Sequence, residues 1–365
     1  MSNPQSPDVL IIGCGPAGSA AAISCAQRGL STAIVDSLEF PRERPGETFH
    51  PGMEPLLKQL GVAEKVNKAG FIRHEGNWVQ WEGKGEFVSF GADESGNWQG
   101  FQAWRADFDT ILLDRAQELG VQVLQPCQAK EAIIDNNRVV GVETSNGSIY
   151  ASVIVDAAGS RHWLARQLGM EIIPYSPRLT AYYGYAQGEC PVRDDIPAIV
   201  ADDLGWTWTA RVRPQLYQWT RLFLPQSYLE PKTKESKTEE STTELKAELK
   251  LQKDWIPAEF VGLVPQGNIR RADVTWRSVA TPAGEGYFIV GDAATVLDPA
   301  SSHGVLKALM SGIMTGHLIT KVKQGYNEGL AAEAYCKWVG EWFQQDVKRL
   351  RELYGKIPQK VRSKE

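Results

Sequence analysis

The sequence predicts an α/β fold, with a parallel sheet, an inserted antiparallel sheet and helices at the C-terminal end. Three observations predict it. Val9–Ile12 is an unbroken apolar run followed at once by a glycine-rich turn and a run of small helix formers, the order of a strand buried on both faces of a parallel sheet. Two more apolar runs, Val153–Val155 and Tyr287–Val290, end in an acidic residue with a glycine beside or just after it. Between them, from Thr180 to Leu224, aromatic residues recur at period two, as in antiparallel strands.

A chain of 365 residues is long enough for one large core or two smaller ones. It is 42 % hydrophobic and 23 % charged, with net charge −5, which gives no electrostatic case for nucleic acid or an anionic membrane. Five cysteines are scattered without a CxxC or metal-ligand spacing, so no metal site is expected. No charged leader with an apolar core precedes Val9, and reduced thiols in the cytoplasm are the expectation. The apolar stretch Val9–Ala26 is interrupted by Gly13, Gly15, Pro16 and Gly18, which excludes a membrane span.

The first element, DVLIIGCGPAGSAAAISCAQRGLSTAIVD, reads as strand, turn, helix, strand. Gly13, Gly15 and Gly18 have the GxGxxG spacing, with Ala17 inside the turn, and Asp36 ends the second strand. Gly13 permits the tight turn, Gly15 lets a pyrophosphate approach the backbone, and Gly18 lets helix and strand pack closely. The helix N-terminus then meets the phosphates, and Asp36 is placed for a ribose hydroxyl. NAD and FAD both suit such a loop.

Arg105 opens a helix with Phe108, Ile111, Leu112 and Leu119 at helical spacing. It suits a phosphate or a ring oxygen, and equally a solvated helix start. Asn136-Asn137 and Asn146-Gly147 then punctuate β-type residues into hairpins. Asp156 and Gly159 follow one buried strand, and Gly291 and Asp292 follow another, at the edge where parallel sheets bind ligands. After a short loop, Ser301-Ser302-His303-Gly304 opens a helix with small residues Ala308, Ser311, Gly312 and Gly316. Three strand ends from distant parts of the chain thus converge on one ligand, which must be long.

The motifs GCGPAG (13–18), PRERPGETFHPG (41–52), WRADFD (104–109), DAAG (156–159) and GDAATVLDPASSHGV (291–305) carry a family likeness. The chain resembles FAD-dependent monooxygenases of the para-hydroxybenzoate hydroxylase type, and more closely the flavin-dependent halogenases and their relatives. The resemblance implies a Rossmann-like FAD-binding domain whose second element, Gly291-Asp292, holds the ribityl chain and pyrophosphate. It places the polar mouth, Ser301 to Gly304, toward the isoalloxazine, and counts Pro299, Gly304 and Val305 among the cofactor-binding residues. It also implies Arg105 near the flavin and Arg42, Arg44 and Glu47 in a loop that closes over it. No second GxGxxG is found, so electrons come from a transient NAD(P)H or a separate flavin reductase.

Halogenases carry hypohalous acid to an essential Lys. By resemblance that Lys falls in the segment GFIRHEGNWVQW (70–81), where this chain has His74 with Arg73 beside it and Lys84 nearby. Ser301 stands where the tryptophan-halogenating branch has a Glu, and the WxWxIP box survives only as WTWTAR (206–211). RADVTWR (271–277) and LDPASSHGVLKALMSG (297–312) look closer to flavoproteins that mature quinone-cofactor oxidases. Those modify a Trp of a precursor protein on the way to cysteine tryptophylquinone. The expected activity is therefore FAD-dependent hydroxylation of an aromatic ring, on a small molecule or on a protein-bound Trp of an oxidase precursor. The alternatives are a halogenase, a prenyl-chain reductase of the same superfamily, and a non-catalytic FAD-bound assembly factor. His303 is the expected proton shuttle, with His50 second and Ser302 beside it; each also reads as a structural cap.

Tyr183 and Tyr185, Trp206 and Trp208, and Tyr217 and Trp219 suggest an aromatic sheet face suited to an indole or phenol. The charged run 230–254 reads as an exposed loop and helix, and an amphipathic helix with Trp338, Trp342 and Phe343 turned inward follows Thr320. The expected organisation is an FAD-binding domain from 1–75, 101–178 and 265–322. A substrate domain comes from 76–100 and 179–264, and a helical extension from 323–365.

Overall fold

The structure is a computed structural model that describes residues 6–94, 96–225 and 255–357; the charged run 230–254 lies outside the described residues. Five strands run parallel in the order Gln122–Leu124, Thr32–Val35, Val9–Ile12, Val153–Asp156 and Tyr287–Ile289. A short antiparallel strand, Ala283–Gly284, closes the far edge. Every residue of Val9–Ile12, Thr32–Val35 and Val153–Asp156 is buried, which is why these runs are apolar without alternation. Ile12 lies opposite both Val35 and Asp156, and Asp156 lies opposite Ile289. That register sends Gly13, Asp36, Ala157 and Val290 out of the sheet along one carboxyl edge.

Two helices carry this edge outward. The loop helix (Pro16–Ala26) and the return helix (Gly304–Lys323) touch backbone to backbone. A Cβ on Gly312 would stand 2.4 Å from the Ala17 carbonyl, and one on Gly316 would stand 2.5 Å from Ser24 Oγ. Ser24 Oγ also donates to the Ile313 carbonyl across the seam at 3.1 Å. Since Gly312 meets Ala17–Ala21 and Gly316 meets Ser24–Cys25, the helices run parallel and their N-termini point the same way. The return helix starts eight residues before Gly312, so its mouth projects about 7 Å beyond that of the loop helix, at 1.5 Å per residue.

The hairpins expected between residues 129 and 150 form a three-stranded sheet, with Asn136 and Asn137 in left-handed turn conformations. The inserted sheet has seven strands in the order Val264–Asp273, Thr180–Gln187, Leu216–Phe223, Gly205–Arg213, Ala198–Asp202, Gly76–Gln80 and Glu86–Ser89. Val264–Asp273, which the sequence assigns to the FAD-binding domain from residue 265 onward, pairs with Thr180–Gln187 instead. Its polar, mostly exposed residues show no alternation, and only pairing reveals it as a strand.

The aromatic residues of this sheet do not share one face. Trp208 and Tyr183 both sit opposite Thr220, and Tyr185 sits opposite Gln218, so with Trp206 they occupy one side. That side adjoins the 41–46 loop, where Gln218 Oε1 accepts the Gly46 N–H at 2.6 Å. Tyr217 and Trp219 point the other way, onto Phe260 and Trp255. Period two sets the face within a strand, but the pairing register sets it between strands.

The terminal helix (Glu328–Tyr354) packs on the body through Tyr335, Val339, Phe343, Val347 and Leu350. Its last residue closes a buried network. Tyr354 Oη donates to Asp298 Oδ2 at 2.7 Å and accepts from Trp206 Nε1 at 2.9 Å, while Trp276 Nε1 also donates to Asp298. Burial pushes the Asp298 carboxyl up to about 6, against these hydrogen bonds. One hydroxyl thus ties the terminal helix, the inserted sheet and the loop at Asp298 together. Tyr354→Phe is expected to destabilise the protein by about 1–3 kcal/mol, because it leaves the Trp206 N–H buried without an acceptor. Urea unfolding would show a lower midpoint at unchanged slope; an unchanged midpoint would remove the network from the stability argument. No helix among the described residues is long and apolar enough to cross a membrane.

Candidate active site

The glycine turn is closed by contact. Gly13 has φ +102°, and a Cβ there would lie 2.5 Å from the Ala157 carbonyl; one on Gly18 would lie 1.9 Å from the Gly13 carbonyl. Gly15 differs: its backbone is extended, and its nearest neighbour is the tip of Arg42 at 3.1 Å. The loop helix begins there with no side-chain cap and no acidic residue in its first turn, so its positive end is left for an anion. Ala17 is buried, packed close to Gly291, and joins the first strand end to the third.

Asp36 braces this cradle. Its Oδ2 accepts the Cys14 N–H at 2.8 Å and pairs with Arg42 at 3.3 Å, and its Oδ1 accepts the Leu38 N–H at 3.0 Å. Of the roughly four acceptor positions of a carboxylate, three are taken, which leaves one for a hydroxyl.

Asp156 departs from expectation. It is fully buried, with Oδ1 taken by the Ala158 N–H at 2.9 Å and Oδ2 by the Leu164 N–H at 2.8 Å. Burial pushes its carboxyl up to about 6. Asp156 therefore shapes the loop through backbone N–H groups of its own segment, while Gly159 has φ +79° and open space around its missing Cβ. The loop is locked to the third strand end by His162, a residue that no sequence motif marks. Its Nδ1 lies 2.8 Å from the Ala293 carbonyl and its Nε2 accepts from Arg277 Nε at 2.8 Å, which defines a neutral tautomer.

Asp292 is solvent-accessible yet closely surrounded, as a side chain on a cleft wall is. Burial raises its carboxyl, and the charges of Arg105, Arg277, Lys307 and Arg44 oppose that rise. Arg105 is aimed by the fully buried Asp109, which takes Nε at 2.8 Å and Nη2 at 3.0 Å in a fork. Arg44 is exposed on the same cleft, its guanidinium lowered by burial and by the charges of Arg42 and Arg105. The strand Glu47–Phe49 pairs with Gly100–Ala103, but the side chain of Glu47 lies outside the described residues.

The mouth of the return helix begins with Asp298, which caps the turn Pro299–Ser301 through the Ala300 N–H at 2.9 Å. Ser302 has φ +54° and is exposed, so it serves the turn; Pro299 is exposed and Val305 is buried in the core. Gly304 starts the helix with open space where a Cβ would be. His303 precedes it, its Nδ1 3.2 Å from Oδ1 of Asp346 on the terminal helix. His50 lies close enough to feel the charge of His303 and is lowered by burial and by that charge. The His50 Nδ1 accepts the Gly52 N–H at 3.0 Å, and its ring meets Phe90 edge-on at 5.3 Å. On Phe90 also rests His74, at 5.4 Å. His74 is 3 % exposed, and neither ring nitrogen has a hydrogen-bond partner among the described residues. Burial, with the charge of Arg73, pushes it down to about 4, so it is neutral near pH 7.

A glycine cradle at one helix mouth, a cationic cleft with one acidic wall, and a second helix mouth farther out fit a long dinucleotide with a ring at its far end. Among known proteins, the model of the FAD binding domain family matches residues 6–332. The chain belongs to that family.

This FAD-binding protein is 29 % identical over 354 residues to a 1H-pyrrole-2-carbonyl-(peptidyl-carrier protein) brominase of Pseudoalteromonas luteoviolacea, covering 93 % of this chain and 83 % of that one. It is 30 % identical over 337 residues to a tryptophan 2-halogenase of Chondromyces crocatus, covering 89 % of this chain and 63 % of that longer one. Among solved structures, a triple mutant of the flavin-dependent brominase Bmp2 superposes with TM-score 0.78 at 25 % identity, over 95 % of this chain and 88 % of that one. The peptidyl tryptophan dihydroxylase QhpG superposes with TM-score 0.69 at 20 % identity, over 98 % of this chain and 77 % of that one, a likeness of fold alone. The FAD-binding protein is thus an FAD-dependent enzyme of the oxidoreductase type, with Gly13–Gly18, Arg105, Asp292 and the Gly304 mouth as the residues that fit the cofactor.

Proposed function

We propose that this enzyme transfers an electrophile to an electron-rich aromatic ring, and that halogenation is the transfer its relatives favour. Similarity to brominases and halogenases along nearly the whole chain carries the reading. Bound FAD, reduced by a separate flavin reductase, supplies the activation of O₂. The chain's own residues do the rest. The glycine cradle and the arginine cleft hold the phosphates, and Asp292 takes the ribityl hydroxyls. The part-buried Tyr183, Tyr185 and Trp208 stand on the sheet face toward the 41–46 loop and suit stacking with a pyrrole, phenol or indole. His303 moves protons at the helix mouth, and neutral His74 can accept the proton that an attacked ring must lose.

Hydroxylation is the second reading, and one observation favours it. His74 occupies the segment where the halogenase likeness puts the essential Lys, and a buried neutral imidazole lacks the amine that would carry a halogen. A Trp on a partner protein is the finer substrate under this reading, supported by the 271–277 and 297–312 segments.

The two are told apart by product mass. Purified enzyme is mixed with FAD, a flavin reductase, NADH and an indole or pyrrole, free or carried on a peptide, with and without bromide. The expected product has bromine in place of hydrogen, with its paired isotope pattern, and forms only when bromide is present. A product heavier by oxygen, formed equally without halide, would replace halogenation with hydroxylation.

A further inference from the structure

We propose that Asp346 is a positioning residue that holds His303 as a one-directional proton acceptor and donor at the mouth of the return helix. Asp346 lies on the terminal helix, beyond the residues matched by the family model, and is 2 % exposed. A carboxylate buried this deeply is retained only where its charge is matched. Its Oδ1 and Oδ2 stand 3.2 and 3.3 Å from His303 Nδ1, and its Oδ2 stands 2.5 Å from Lys307 Nζ, an ion pair set off the direction of a hydrogen bond.

The consequence is a choice of tautomer. With an acceptor-only carboxylate on Nδ1, the neutral ring keeps its hydrogen there and its lone pair on Nε2. Both contacts of the ring with Asp346 run through Nδ1 and neither through Nε2. When Nε2 takes up a proton, the imidazolium that forms lies against a carboxylate, so the cation is stabilised as it appears. Trp342 of the same terminal helix meets the ring edge-on at 6.5 Å.

Other charged groups bear on this pair from each side. Lys307, one turn into the return helix, lowers the affinity of Asp346 for protons and keeps it an anion; burial alone would raise it, and the contacts from His303 and Lys307 outweigh burial. Lys307 also feels Asp292 on the cleft wall. His50, from the 41–52 loop, faces His303 and disfavours two charged imidazoles together.

The inference deepens the proposed ring oxidation, which supplies the protons that His303 would move, but the deciding measurement needs no substrate. In ¹⁵N-labelled, FAD-loaded protein, long-range ¹H–¹⁵N spectra distinguish the two nitrogens of each neutral imidazole. The His303 signals are identified by their loss in His303→Gln. The expected result is a protonated Nδ1 and a bare Nε2. Asp346→Asn, whose amide can donate to Nδ1, should move the hydrogen to Nε2. Turnover in that variant should fall about 10- to 100-fold at unchanged KM and FAD content, with the limb of the pH–rate profile that His303→Gln removes lost as well. A hydrogen on Nε2 in the wild-type protein would overturn the proposal without any variant. So would Asp346→Asn with the wild-type pH–rate profile.

Discussion

Gly15→Val is expected to leave the fold intact and weaken FAD binding about 10- to 100-fold, an effect of about 1–3 kcal/mol from crowding a fitted contact. The three glycines of the turn are not equivalent, and the difference makes the test sharp. A side chain on Gly13 or Gly18 runs into backbone carbonyls of the protein itself, so loss of flavin there would be confounded with loss of structure. At Gly15 the only near atom among the described residues is the end of the Arg42 side chain, at 3.1 Å, which can move aside. The branched side chain would instead fill space over the uncapped helix start, the place proposed for the pyrophosphate. Fluorescence titration of refolded apoprotein with FAD would measure the change, with far-UV circular dichroism and thermal unfolding as the control. Equal FAD affinity in a natively folded variant would mean that the phosphates do not lie on this turn, and the site would have to be moved. Asp292→Ala tests the proposed ribityl contact in the same way, with lower FAD affinity in a natively folded variant as the expected result.

These glycines also illustrate which features of the site are legible in the sequence. The cradle is legible because it is local. A glycine spacing, a buried strand before it and small residues after it all lie within residues 9–36, and each constrains the same turn. The convergence of three strand ends is legible for a similar reason, since each apolar run announces a strand buried on both faces. Pairing across long separations is what stays hidden. His162 and Arg277 are 115 positions apart, and nothing near either residue names the other. Asp109 reads as one more polar residue on a helix until its fork with Arg105 is seen. Asp346 falls in an amphipathic helix whose periodicity marks only its apolar face, yet it lies against His303. Asp156 misleads in the other direction. An acid after a buried strand looks like a ligand-binding group, but both of its oxygens are consumed by the backbone N–H groups of its own loop. For the aromatic pairs of the inserted sheet, periodicity is right within strands and wrong between them, because register depends on partners that periodicity does not contain.

His74→Met should separate stability from activity more clearly than any other substitution in the site. A buried imidazole whose nitrogens have no hydrogen-bond partner among the described residues gains little for folding from its polar atoms. Met is close in volume and flexible enough to fill the space beside Phe90, so the variant should be at least as stable as the wild type at about pH 7.5. The gap should widen on acidification. The folded His74 titrates near 4 against an ordinary value of 6.5, so the unfolded chain binds its proton first as the pH falls. Wild-type stability is then full above about pH 6.5 and declines as the pH approaches 4, by about 3 kcal/mol for a depression of this size. His74→Met lacks that decline. Urea midpoints of both proteins at intervals between about pH 7.5 and 4.5 would trace the two curves, and parallel curves would show that the imidazole is not held neutral. If the same residue accepts the ring proton, turnover of His74→Met should drop about 10²–10⁴-fold with FAD content unchanged. A protein keeps a side chain that gains little for folding in its interior when something other than folding requires it. Full activity in a stabilised His74→Met would leave His74 without that justification, and the proton acceptor would then have to be sought at His50 or His303.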